Sequence, residues 1–163
     1  MCFSLPLTEK QWTDNQLFNY FKATEEMKNS NQILASFLLV KKAKETLRFA
    51  EDWLNLCSNE SLILGDNSNY LYNKNHRFDQ SILSLLCKRN NILPFRDPSQ
   101  YGVFPEMYAN KGNINEFIIH ESSYKTTIIQ IRKSNFIVDY FKYIVKSFLK
   151  SIFPKIYNKV IKK

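Results

Sequence analysis

Two adjacent stretches decide the expected fold class: QILASFLLV at residues 32–40 and AKETLRFAEDWLNLC at residues 43–57. The first is almost continuously apolar and lies between polar residues, which is typical of a strand covered on both faces. The second carries apolar residues at helical spacing with good helix formers between them. We therefore predict a central strand at residues 33–40 and a helix at residues 43–57 that packs back on it.

Shorter patterns on either side extend this plan. Thr13 and Gln16 have the spacing of a capping box and predict a short helix over residues 14–21. A further helix is predicted to open at Asp79, because aspartate is a favoured N-cap residue. The other predicted elements are a surface loop at residues 58–78 and short strands at residues 92–95, 116–120 and 126–131. Together the order of strands and helices predicts the α/β fold class.

The composition is that of one ordinary folded domain. The 163 residues are 44% hydrophobic and 15% aromatic, which is enough apolar surface for a core. Three cysteines without a C-x-x-C pair indicate neither a disulfide framework nor a zinc site, and Cys57 and Cys87 are predicted to be core residues. The cysteine usage and the lack of a basic, apolar leader at the N-terminus predict a reducing, cytoplasmic location.

The net charge of +8 is concentrated at the C-terminal end of the chain. Residues 132–163 carry nine basic side chains and one acid, so residues 1–131 are neutral. We therefore divide the chain into a body at residues 1–130 and a basic tail at residues 131–163. Because the charge lies in the tail, an electrostatic partner is expected to meet the tail.

Within the tail, residues 136–153 have apolar side chains at helical spacing and lysines on the other side. This pattern predicts a basic amphipathic helix that lies on an anionic membrane surface, peripheral to the inner face of the cell membrane. The alternative is a terminal helix packed on the body. Nucleic acid is not the expected partner, because the aromatic side chains lie on the apolar side. The predicted membrane-binding residues are Lys142, Lys146, Lys150, Phe141 and Phe148.

A dense polar cluster, NHRFDQS at residues 75–81, is predicted to pass from the loop directly into a helix. His76, Arg77 and Gln80 offer hydrogen-bond donors suited to hydroxyls and phosphates, and a helix N-terminus attracts anions. This combination indicates a site for a sugar phosphate or a nucleotide sugar. The alternative for Asp79 is that it only caps the helix.

The cluster also belongs to a recognisable pattern. NHRFDQSILSLL at residues 75–86, followed by PFRDPSQYG at residues 94–102, resembles the C-terminal half of bacterial glycosyltransferases encoded in capsule and lipopolysaccharide loci. QILASF at residues 32–37 and WLNLC at residues 53–57 agree in order and spacing, so that the resemblance covers about residues 12–102. More distantly, the Asp79-Gln80 pair is similar to the acceptor-side motif of glycogenin-like GT-A transferases.

The resemblance implies a GT-A-like, nucleotide-diphospho-sugar transferase domain. It implies that Asp79 acts as a base or a polar anchor, that Gln80 contacts sugar hydroxyls, and that His76 or Arg77 lies near the diphosphate. Gln32 would line the same pocket, or would only end a loop before the strand. Arg96 and Asp97 would orient a substrate, or form a local ion pair in a turn. The implied substrate-binding residues are His76, Arg77, Gln80, Ser81, Gln32, Arg96 and Asp97, with Asp79 as the catalytic residue.

The sequence departs from this family in one respect. GT-A enzymes generally hold a divalent metal, Mn or Mg, through an Asp-x-Asp element, and this sequence contains none. Some thirty residues precede the predicted strand, too few for the nucleotide-binding half, since one βαβ unit takes about 30 residues. We therefore expect the C-terminal portion of an enzyme that uses a nucleotide-sugar donor and a glycan or lipid-linked acceptor, without a metal of its own and inactive alone. The alternative is a small, basic, non-catalytic α/β protein that binds a membrane or a partner.

Overall fold

The structure is a computed structural model that describes residues 1–65, 76–105, 119–131 and 135–161, with side chains to residue 157. The described residues form a mixed α/β chain in which helices predominate and the strands are short. In chain order the elements are β1 (Ser4–Thr8), α1 (Glu9–Trp12), α2 (Asn15–Phe21), α3 (Glu25–Asn29), β2 (Asn31–Ile33), α4 (Lys44–Cys57), α5 (Glu60–Leu64), α6 (Phe78–Arg89), α7 (Gln100–Val103), α8 (Phe136–Ile152) and α9 (Pro154–Ile161).

The apolar run at residues 32–40 is a strand only at its start. β2 pairs antiparallel with β1, with Ser4 opposite Ile33, in a sheet of two strands. Farther along the run, Leu39 and Val40 are exposed. The predicted central strand at residues 33–40 is therefore wrong over most of its length. The five-residue β1 supplies a ladder for only a few residues, and among the described residues no strand pairs with the rest of the run.

The predicted helices over residues 14–21 and 43–57 are confirmed, and the cap of the first differs from the prediction. α4 matches the helix predicted at residues 43–57, and α2 matches the helix predicted at residues 14–21. The predicted capping box is wrong: the carboxylate of Asp14, not the hydroxyl of Thr13, accepts the hydrogen bond of the first turn, from the amide of Gln16 at 2.6 Å. The Thr13 hydroxyl instead donates to the carboxylate of Glu9.

The other predicted elements are only partly present. The predicted loop at residues 58–78 contains α5, and its residues 66–75 lie outside the described residues. Two of the predicted strands reduce to isolated bridges, in which Phe95 pairs with Phe3 and Ile128 pairs with Ser99. Most of the strand predicted at residues 116–120 also lies outside the described residues.

α6 lies at the centre of the core. Every residue from Gln80 to Cys87 is buried, and α2, α4, α5 and β2 all contact this helix. Two apolar clusters meet on it, one with α2 and α5 and the other with Cys2 and β2. The prediction that Cys87 is a core residue is confirmed, and Cys57 packs partly buried against the first cluster.

The described residues fall into two compact units. The first comprises residues 1–65, 76–96 and 119–122, and the second comprises residues 97–105, 123–131 and 135–161. In the second unit, the side-chain amide of Gln100 forms two hydrogen bonds with the backbone of Gln130. Its nitrogen donates to the carbonyl of Gln130, and its oxygen accepts from the backbone nitrogen of Gln130 at 2.9 Å. α8 confirms the predicted tail helix and belongs to this unit.

Candidate functional site

The polar cluster of the sequence lies where the chain enters α6. The N-cap position belongs to Arg77, which has non-helical φ and ψ of −104° and 40°, and Asp79 lies inside the first turn. The prediction that Asp79 is the N-cap residue is therefore wrong by two positions. Asp79 is exposed in the first turn of α6, where a negative charge complements the positive end of the helix dipole.

Backbone strain marks the same point. Phe78 has a φ of +41°, which costs a residue with a side chain about 1–2 kcal/mol. Its exposed ring meets the ring of His76 edge-on, with the centroids 5.9 Å apart. Strain of this kind persists only where the surroundings enforce it, and it is concentrated at functional sites.

Both tryptophans of the chain contact this junction. The guanidinium of Arg77 lies over the ring of Trp12, 4.2 Å from its centroid. The indole nitrogen of Trp53 donates to the backbone carbonyl of Asp79 at 3.2 Å. The start of α6 is thus held from α1 on one side and from α4 on the other.

Beneath the exposed junction, the structure brings together three of the predicted site residues. The side-chain nitrogen of Gln80 donates to the side-chain oxygen of Gln32 at 3.0 Å. The side-chain nitrogen of Gln32 lies 3.2 Å from the Ser81 hydroxyl and 3.0 Å from the Thr13 hydroxyl. All these side chains are buried, so they form a rigid support and do not face solvent.

The support extends to residues that the sequence analysis missed. The carboxylate of Glu9 is fully buried and accepts from the Ser84 hydroxyl and from the ammonium of Lys88. Burial lowers the pKa of Lys88, and the neighbouring Glu9 charge opposes that shift. Ser81, Ser84 and Lys88 lie three and four positions apart, and the residues between them are apolar. This spacing is the sequence signal that could have revealed a buried polar stripe.

His76 lies below the surface. Its Nδ1 accepts from the backbone nitrogen of Asp14 at 3.2 Å, which fixes the ring against the start of α2. Burial lowers the pKa of His76, and the Asp14 charge offsets only part of that shift. The imidazole thus accepts a hydrogen bond inside the fold, and Arg77 is the nearest cation to Asp79 in sequence.

Arg96 and Asp97 belong to different units of the chain. The backbone nitrogen of Arg96 donates to the Ser122 hydroxyl at 3.2 Å. The buried carboxylate of Asp97 accepts from the backbone nitrogen of Ser99 at 2.7 Å, which orders the turn before α7.

The predicted tail residues lie on opposite sides of α8. Phe141 and Phe148 are exposed, and the side chain of Lys142 is 67% exposed. Lys146 and Lys150 are only half-buried and lie over the ring of Phe104.

Within the described ranges, no group of three or more His, Cys, Asp or Glu side chains is arranged to hold a metal ion. No helix of the described part of the chain combines the length and apolar content needed to cross a bilayer. A scan against protein-family models, a search of curated proteins and a search of solved structures each found no match to this chain.

Proposed function

We propose that the chain is the acceptor-side portion of a GT-A-like glycosyltransferase, which moves a sugar from a nucleotide-sugar donor to a glycan or lipid-linked acceptor in bacterial surface polysaccharide synthesis. The observation that carries this proposal is the exposed Asp79 carboxylate at the start of α6, above the buried hydrogen bond between Gln32 and Gln80. The resemblance assigns these same residues to one sugar pocket. Gln32 and Gln80, 48 positions apart in sequence, are hydrogen-bonded inside the fold, which supports a common role for them in positioning the start of α6.

The exposed groups have the right chemistry for a saccharide. An ionised carboxylate can accept hydrogen bonds from two neighbouring hydroxyls, and charge-assisted hydrogen bonds are the stronger ones. The same carboxylate can take the proton of an attacking hydroxyl when the two atoms are within about 2.6–3.2 Å. The Arg77 guanidinium, which lies over the ring of Trp12, carries donors suited to further oxygen atoms.

Because the sequence contains no Asp-x-Asp element, we expect this chain alone to bind the acceptor sugar without turning over the donor. The divalent metal, Mn or Mg, and the nucleotide would be held elsewhere in the complete enzyme. Buried groups such as Gln32 and Gln80 would then serve to position the first turn of α6 and would not touch the sugar.

The two tryptophans supply a test that needs no added label. Intrinsic fluorescence of the intact chain should change in a saturable way with at least one member of a panel of mono- and disaccharides, because both indoles contact the junction. Asp79→Asn keeps the size of the side chain and should weaken this binding roughly tenfold or more, since a hydrogen bond to a charged group contributes about 1.5–3 kcal/mol. Asp52→Asn is the matched control: Asp52 is an exposed carboxylate beside Trp53 in sequence, and its loss should not change the affinity.

Two results would contradict the proposal. One is the absence of any saturable response across the panel, which would favour the non-catalytic alternative. The other is an equal affinity for Asp79→Asn and wild type, which would remove Asp79 from the site. A separate assay with UDP- and GDP-sugars and manganese should detect no turnover by the chain alone.

A further inference from the structure

The apolar face of α8 is turned outward. Ile137, Phe141 and Phe148 are 74%, 66% and 60% exposed, and no residue of the helix is buried. Among the exposed apolar residues of α8, five recur three and four positions apart and so form one continuous stripe. We call this stripe the outer face; it consists of Ile137, Phe141, Ile144, Phe148 and Ile152.

The opposite side of α8 holds the helix in place through polar and aromatic contacts. The ammonium of Lys150 donates to the backbone carbonyl of Val103 at 2.6 Å and lies 4.9 Å from the centroid of the Phe104 ring. The fully buried ring of Phe104 also meets Tyr143 of α8 and Tyr157 of α9, both at 6.0 Å. A surface helix of a globular protein normally places its apolar side against the core. Here two lysines, Lys146 and Lys150, are turned inward over the ring of Phe104.

We propose that the outer face of α8 docks on the surface of an anionic lipid bilayer. An apolar stripe of this length on one helix, bordered by cations, is the arrangement that lies in the interface with its apolar side in the acyl boundary. Lys142 and Lys155 are exposed, and residues 132–163 carry the whole net charge of +8. The charge complements anionic headgroups at the inner face of the cell membrane. This proposal does not rest on the assignment of the sugar site.

A second copy of the chain is the less favourable occupant. Packing two outer faces together would bring two tails of charge +8 into one interface, and repulsion between like charges opposes such contacts. An anionic bilayer covers the same apolar stripe while it neutralises that charge. The structure therefore assigns different roles to the lysines: Lys142 would approach the lipid, whereas Lys150 holds the helix.

The experiment is cosedimentation of the full chain with vesicles of phosphatidylcholine, with and without phosphatidylglycerol. Wild type should bind the anionic vesicles, and binding should weaken as salt rises. The double variant F141S/F148S should bind at least about tenfold more weakly to either vesicle, because it removes apolar insertion. The affinity of Lys142→Gln should be about fivefold lower than that of wild type for anionic vesicles, and unchanged for neutral ones. The matched control is L47S/L54S, which removes two exposed apolar side chains of α4 and should bind as wild type.

Several outcomes would overturn the proposal. One is that wild type does not bind the vesicles. Another is that wild type and F141S/F148S bind them equally well. A wild-type dimer that F141S/F148S converts to a monomer, without vesicle binding, would assign the outer face to self-association. A fall in melting temperature for F141S/F148S but not for L47S/L54S, again without vesicle binding, would mean that the outer face packs within the chain.

Discussion

The side-chain nitrogen of Gln80 donates to the side-chain oxygen of Gln32 at 3.0 Å and so joins α6 to β2 inside the core. Because Gln32 is fully buried, Gln32→Ala would leave the amide of Gln80 and nearby hydroxyls without this partner. We expect the free energy of unfolding to fall by about 1–3 kcal/mol, the usual cost of unsatisfied buried polar groups. Urea denaturation measures this change. Gln11→Ala, at an exposed position, should leave the midpoint unaltered, and an equal loss in both variants would contradict the assigned role.

A second prediction concerns the buried ion pair. Lys88→Met leaves the carboxylate of Glu9 buried without its cation and should cost about 3–5 kcal/mol. Glu9→Gln alone should also destabilise, because the Lys88 ammonium then loses its partner charge. The double variant should be more stable than the sum of the two losses implies, and a complete double-mutant cycle measures the difference. Strict additivity would mean that the two charges do not interact.

The depressed pKa of His76 predicts how stability depends on pH. The unfolded chain titrates near the ordinary pKa of about 6.5 and takes up a proton before the folded chain does. The free energy of unfolding should therefore fall as the pH is lowered through about 6.5, with a slope of at most about 1.4 kcal/mol per pH unit until the folded-state pKa is reached. His76→Gln should flatten this part of the profile. An unchanged slope in His76→Gln would contradict the assignment.

Gly65→Ala should destabilise the first unit. Gly65 has φ and ψ of +72° and −164°, a region that is essentially restricted to glycine, and an added Cβ would lie 3.1 Å from the Cγ of Asp14. Because Asp14 caps α2, the added Cβ would strain both the turn at Gly65 and the start of α2. We expect the free energy of unfolding to fall by roughly 1–3 kcal/mol. Gly102→Ala, within α7 and without a positive φ, should be neutral or stabilising in the same thermal melt. Equal melting temperatures for the two variants would show that Gly65 is not constrained.

Lys150→Gln tests how α8 is held. The substitution removes the charged donor to Val103 and the cation above Phe104, and it should cost the second unit about 1–3 kcal/mol. Lys142→Gln removes an exposed partner of Asp139 at 3.6 Å and should change stability by less than about 1 kcal/mol. Hydrogen exchange of the α8 amides is the measurement. Faster exchange in both variants, or in neither, would contradict the different roles assigned to Lys150 and Lys142.

Local patterns predicted the helices of this chain, and long-range pairing limited the prediction of its strands. α2, α4 and α8 follow from periodicity and caps that lie within each segment. The run at residues 32–40 is apolar enough for a strand, but strand length depends on the partner, and β1 is short. Nothing within the run itself carries that information.

The candidate site was partly predictable for a similar reason. Asp79, Gln80 and Ser81 are adjacent in sequence, so their grouping needed no tertiary information. The buried Glu9 and Lys88 could not be found from residue type, because charged side chains are almost always exposed unless they are paired. Their pairing spans 79 positions and exists only once α1 and α6 have come together.

The same long span has a consequence during synthesis on the ribosome. Glu9 is made 75 residues before Ser84 and 79 residues before Lys88. Until α6 leaves the exit tunnel, the carboxylate of Glu9 lacks these final partners, which favours its continued hydration. The first unit is therefore expected to fold late and in a single cooperative step, since contacts of high sequence separation slow folding and the domain completes as a unit.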